Sequence, residues 1–223
     1  MVDLVTCGAI NWDINFFVDK LPRTGEEVRI NKIQRVSGGT AVNVSVAAAR
    51  ILGRDRVALI GAVGNDEIGD FQIDLMRKEG VDTSSIIRIK GEESGQAYIT
   101  IDNNGENEIH TYFGANHSLS PIIIKERKIT NLINEAKTVV IMDPPLNTCR
   151  ELAKKCKDSA SNILIWDPGV LSHHDLNALK PTITNIDYFV LNHVEFQNLL
   201  GTSNPKEVGK RLASINKKYQ SNH

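Results

Sequence analysis

Five short apolar runs, Leu4–Ile10, Val57–Ile60, Thr138–Met142, Asn162–Trp166 and Tyr188–Leu191, recur along the chain. They are rich in Val and Ile and read as buried strands. Between them, Val42–Leu52, Glu67–Lys78, Ile122–Ala136, Asn147–Lys157 and Glu195–Leu200 carry apolar residues at helical spacing. A chain that alternates in this way returns to its sheet through helices. That predicts an α/β domain of three layers, with a mostly parallel central sheet between helices. Two stretches break the rhythm. Asn15–Val36 and Gly95–Phe113 read as antiparallel strands of a second, smaller sheet, the latter folded at Asp102-Asn103-Asn104-Gly105. No repeat or flexible linker divides the chain, so residues 1–223 are expected to form one domain.

Within that frame the most informative segment is Gly38-Gly39-Thr40-Ala41-Val42-Asn43, which runs directly into a helix. Adjacent glycines permit positive φ and close approach of a ligand to the backbone. The helix behind them offers unpaired N–H groups and the positive end of its dipole. Asn43 falls in the first turn, where its amide can donate to and accept from a polyhydroxylated ligand. Asn11 and Asp13 lie just past the first strand, on the edge where open parallel sheets bind ligands. Two residues apart in extended chain, they point to one face. An amide and a carboxylate aimed together suit a pair of sugar hydroxyls.

Further pieces follow in order: Leu21-Pro22-x-x-Gly25-Glu26, Gly61-x-x-Gly64-x-Asp66-x-x-Gly69 and Gly114-Ala115-Asn116-x-x-Leu119-Ser120-Pro121. Asp167-Pro168-Gly169 and Asn192-x-x-Glu195 complete the series. Neither G-x-G-x-x-G nor G-x-x-x-x-G-K-[ST] occurs, so a dinucleotide fingerprint and a P-loop are both absent. Taken together and in this order, the motifs resemble the ribokinase-like (PfkB) family of carbohydrate and nucleoside kinases. The resemblance covers the N-terminal two-thirds or so of a member.

The resemblance implies a ribokinase-like α/β fold in which the small sheet covers the acceptor as a lid and often mediates dimerisation. It implies transfer of the γ-phosphoryl of ATP to a hydroxyl of a sugar or nucleoside, with Mg²⁺. Asn11, Asp13, Gly38, Gly39 and Asn43 would hold the acceptor, with Asp143 near a position that contacts the sugar. Asn192 and Glu195 would serve the nucleotide phosphates and the water shell of magnesium. Thr40 stands where ribokinases proper usually have Lys, and Asp143 near where they have a Glu that contacts the sugar, which leaves a nucleoside, another pentose or hexose, or a sugar acid open as acceptor. The family's C-terminal anion hole and catalytic Asp, usually close to Gly-Ala-Gly-Asp, occur nowhere in these 223 residues. No catalytic residue is therefore assigned, and the chain is expected to be incomplete and inactive alone. The rival expectation is a non-catalytic sugar- or nucleoside-binding module, or an inactive partner subunit.

Composition narrows the partners. Usage is 41% hydrophobic and 24% charged, with a formal net charge of -1 and no long basic run, which argues against nucleic acid or a membrane surface. No stretch reaches the roughly 18 apolar residues of a membrane span. Cys7, Cys149 and Cys156 lack metal-ligand spacing and are odd in number. Reduced thiols in the cytoplasm are the expectation.

Overall fold

The computed structural model describes residues 2–159, 162–202 and 204–215. Its central sheet has six parallel strands: β1 (Leu4–Gly8), β4 (Val57–Gly64), β5 (Val81–Ile89), β8 (Thr138–Met142), β9 (Ile163–Asp167) and β10 (Tyr188–Phe189). A second sheet has four: β2 (Asn11–Val18), β3 (Ile30–Gly38), β6 (Gly95–Ile101) and β7 (Asn107–Tyr112). The helices are α1 (Thr40–Leu52), α2 (Glu67–Lys78), α3 (Arg127–Glu135), α4 (Leu146–Ser159), α5 (Leu176–Ile183), α6 (His193–Leu200) and α7 (Pro205–Ile215).

β4 shows why the sheet is covered on both sides. All eight of its residues are buried, and they divide by parity. Ala58, Ile60 and Ala62 join a cluster with Ile133, Cys149 and Leu152 of α3 and α4. Val57, Leu59 and Val63 join one with Val42, Ala49, Ile73 and Met76 of α1 and α2. Successive side chains of a strand face opposite ways, so a strand buried twice must be apolar throughout. One polar pair interrupts the second layer: the Thr6 and Ser45 hydroxyls lie 2.6 Å apart, and Ser45 in turn donates to the Ala41 carbonyl. The three cysteines are all buried and unpaired.

The central order is β10-β9-β8-β1-β4-β5. β4 thus lies on one side of β1 and β8 on the other, so the chain reverses direction across the sheet between β1 and β8. Crevices outside the carboxyl ends of strands at such a reversal are where α/β sheets bind ligands.

The second sheet, ordered β3-β2-β6-β7, differs from expectation in two respects. It is mixed, because β2 pairs antiparallel to β3 but parallel to β6. It also begins at Asn11 rather than Asn15, so the candidate residues Asn11 and Asp13 belong to this sheet itself. Only Ala9 and Ile10 separate β1 from β2. The crossing is fixed by Asn116, 3% exposed, whose side chain accepts from the Ile10 amide at 2.9 Å and donates to the Ile10 carbonyl and to Asn11 Oδ1, both at 3.0 Å. A second crossing, from β5 to β6, is tied down by Asp66. Its carboxylate caps α2 through the Gly69 amide at 2.8 Å and receives the Ser94 amide and hydroxyl at 2.7 and 2.6 Å.

Other differences are local. Gly61 and Gly64 lie inside β4, so the turn before α2 is only Asn65-Asp66. The run expected as one helix from Ile122 starts with a short 3₁₀ turn, and α3 begins at Arg127. Glu207–Tyr219 also reads as a helix from its sequence; α7 covers that run to Ile215, and Asn216–Tyr219 lie outside the described residues.

Candidate acceptor-binding site

Parallel pairing brings Gly8, Met142 and Asp167 into one register row at the carboxyl edge of the sheet. Asp143 is the residue just past β8, and β2 and α1 both start beside it. Outside this edge opens a cavity of about 380 Å³, lined by Asn11, Asp13, Gly39, Thr40, Asn43 and Asp143 among others. Residues separated by more than a hundred positions in sequence are thus gathered where the strand order reverses. Gly38 does not line the cavity but stands directly behind Asp13: a Cβ there would lie 2.0 Å from Asp13 Oδ2.

The backbone of the glycine pair explains its composition. Gly39 has φ +97°, and a Cβ on it would meet the Ala9 carbonyl oxygen at 2.5 Å and the Asn11 nitrogen at 2.6 Å. It serves as N-cap of α1 without any side-chain cap, and the first turn holds no acidic residue. Among the described residues no side chain is found bonded to the leading N–H groups of α1, which open beside the cavity.

Asp13 is half-buried, yet none of its hydrogen bonds or ion pairs is found among the described residues. Burial alone pushes its carboxyl up to about 6. Asp143 is raised to about 6 as well, chiefly by burial and also by the charge of Asp167, against the Val170 amide, which donates to Oδ1 at 2.9 Å, and the Thr40 hydroxyl. Asp143 sits at φ +58°, a left-handed conformation that Asp tolerates better than most residues. Asn11 is nearly buried, and its Oδ1 is taken by Asn116. That leaves its NH₂ as the group able to donate outward.

The second sheet supplies the opposite wall. Its register aligns Asp13 with Ala97 and Ala97 with Thr111, and pairs Ile99 with Ile109. These residues alternate along β6 and β7, so one face of the sheet looks into the cavity, together with Phe113 and Val170. The family resemblance implies that this sheet covers the acceptor, but the sequence does not single out Ala97, Ile99, Ile109, Thr111 and Phe113 as site residues. The hairpin and the alternation would have found them once Asp13 was placed in the same sheet.

Asn192 and Glu195 reach the same edge but not the cavity. They form a closed capping box at the start of α6: Asn192 Oδ1 accepts from the Val194 and Glu195 amides at 2.9 and 3.0 Å. The two Glu195 oxygens accept from the Asn192 amide and side chain at 2.9 and 2.8 Å. Burial, with the charges of Asp167 and Asp143, raises the Glu195 carboxyl. Each Glu195 oxygen accepts one hydrogen bond and keeps a further lone pair; among the described residues no group of three or more His, Cys, Asp or Glu is placed to hold a metal ion.

Comparison with known proteins agrees with the geometry. The chain is 28% identical over 169 residues to an ATP-dependent ribose-1-phosphate kinase of Halopiger xanaduensis, covering 76% of this chain and 55% of that protein. It is 27% identical over 202 residues to a nucleoside kinase of Methanothermobacter thermautotrophicus, covering 88% of this chain and 62% of the other. The chain thus spans less than two thirds of either relative. Among solved structures, Arabidopsis thaliana ribokinase complexed with ribose and ATP superposes with a TM-score of 0.81 at 23% identity, over 98% of this chain and 70% of that one. Such a likeness establishes the shared fold. The sequence model of the pfkB family carbohydrate kinases matches residues 1–223 throughout, and the chain belongs to that family.

Proposed function

We propose that these residues form the acceptor-binding part of a kinase that transfers the γ-phosphoryl of ATP to a hydroxyl of a sugar or nucleoside. One observation carries the reading: Asp13 is a half-buried carboxylate without a partner among the described residues, facing a cavity at the strand-order reversal, with the N-terminus of α1 beside it. Ionised carboxylates accept only, so a buried one left without donors suits a ligand that brings its own. Vicinal hydroxyls would donate to Asp13, while the Asn43 amide and the Asn11 NH₂ fix the remaining ring oxygens. Ala97, Ile99 and Phe113 would exclude water from the apolar face of the ring. The work of this half is positioning: it holds one hydroxyl at the carboxyl edge, where a bound nucleotide can meet it in line. Mg²⁺ carried with the phosphates would neutralise their charge, with Glu195 serving its water shell.

No general base is assigned, because no motif close to Gly-Ala-Gly-Asp occurs in these 223 residues. Turnover therefore requires an anion-binding segment and base from outside them, and we place the protein in the cytoplasm on its three buried free cysteines. The test supplies ATP, Mg²⁺ and a panel of sugars and nucleosides to the purified chain. The reading expects acceptor binding without acceptor-dependent ADP release. Release at about 1 s⁻¹ or faster would overturn the need for an outside base, with Asp143 and Asp167 the first candidates for that role. Failure of every sugar and nucleoside to bind would overturn the kinase reading.

A further inference from the structure

We propose that the cavity selects an uncharged acceptor, taking free sugars or the ribose of a nucleoside and rejecting sugar phosphates and sugar acids. The inference rests on the acceptor-site reading above and narrows it, since one relative at 28% identity is itself described as acting on a ribose phosphate.

The argument is a charge inventory of the walls. Among the described residues lining the cavity there is no Lys, Arg or His, while Asp13 and Asp143 both present carboxylates to it. Asp13 is balanced by no cation there, and Asp143 accepts from the neutral Val170 amide, with the Thr40 hydroxyl nearby donating to the Met142 carbonyl at 3.4 Å. Asp167 and Glu195 add negative charge from the same edge, since each influences Asp143 or is influenced by it. The one opposing contribution is the N-terminus of α1, equivalent to roughly half an elementary charge. Two whole charges in a half-buried setting outweigh it, so a phosphate or carboxylate brought into the cavity meets like charge in a medium that screens poorly. The polar groups of the lining, the amides of Asn11 and Asn43, the hydroxyls of Thr40 and Thr111 and the two carboxylates, match hydroxyls. Ile99 and Phe113 opposite them match the apolar face of a ring.

The experiment is calorimetric titration of the full chain at pH 7.5 with D-ribose and adenosine as neutral probes. D-ribose 1-phosphate, D-ribose 5-phosphate and D-ribonate serve as anionic ones, and each is measured at two salt concentrations. The expected result is binding of at least one neutral probe, with its anionic counterparts more than about tenfold weaker. The gap should shrink at high salt, and in an Asp143→Asn variant the anionic probes should gain affinity in absolute terms. Asn suits the left-handed position 143, so that variant keeps the backbone. An anionic probe that binds as tightly as its neutral parent would overturn the charge inference and leave the acceptor reading standing. A panel in which neither class binds would instead overturn the acceptor reading, and the inference with it.

Discussion

Replacing Asp13 by Asn should make the unliganded protein more stable at pH 8 and less able to bind an acceptor. Burial carries the carboxyl from 3.8 to about 6. The folded state therefore binds more protons than the unfolded state between about pH 4 and 6. Stability falls as pH rises through that window, and the full penalty is present above it. At 1.36 kcal/mol per pH unit the ceiling is about 3 kcal/mol. Asp13 is only half-buried, so screening by water reduces this to about 1–2 kcal/mol. Asn has the same shape and no charge to desolvate. Urea denaturation should accordingly show Asp13→Asn more stable than the parent by about 1–2 kcal/mol at pH 8, with the two converging below pH 4. A variant less stable than the parent at pH 8, or a gain that does not depend on pH, would refute the reasoning.

Other substitutions test the supports of the site. Asn116→Ala strips the buried Ile10 amide and carbonyl of their partners, at a cost of about 2–4 kcal/mol; a change below about 0.5 kcal/mol in urea denaturation would remove Asn116 from that role. Asp66→Ala should cost about 2–3 kcal/mol, since it unseats both the cap of α2 and Ser94. Burial acts to raise the Asp66 carboxyl, but the Ser94 and Gly69 donors and the charge of Arg88 outweigh it and hold it below 3.8. The stability it contributes is thus present above its unfolded value and lost only as pH falls below about 4, and acid titration of parent and variant should converge there. The face of the second sheet turned away from the cavity exposes Ile33, Tyr98 and Tyr112, with Phe16 stacked on Tyr98. We expect this face to pair two copies of the chain, and sedimentation showing a monomer at high concentration would contradict that.

The sequence made the central layers legible because strands buried on both faces are continuously apolar and have few competing readings. Val57–Ile60 and Thr138–Met142 are such cases, and both are strands in the structure. β5 escaped notice because it is an edge strand, VDTSSIIRI, whose polar residues carry no clear period. The acceptor residues could be named from motifs one at a time. Their convergence depends on the parallel register of β1 with β8, which no local pattern encodes. Asp13 was legible as a residue but not in its place: only the short Ala9-Ile10 crossing, clamped by Asn116 at long range, puts it in the second sheet. Asn192 and Glu195 carry a capping-box pattern, and their mutual hydrogen bonds realise it in full.

The central claim is that Asp13 anchors a hydroxylated acceptor, and calorimetric titration of the tightest neutral sugar or nucleoside onto parent and Asp13→Asn tests it most directly. Charge-assisted hydrogen bonds to a carboxylate are worth about 1.5–3 kcal/mol. The account predicts that affinity falls at least about tenfold in a variant that is folded and more stable than its parent at pH 8. An unchanged affinity would contradict it and remove Asp13 from the acceptor site.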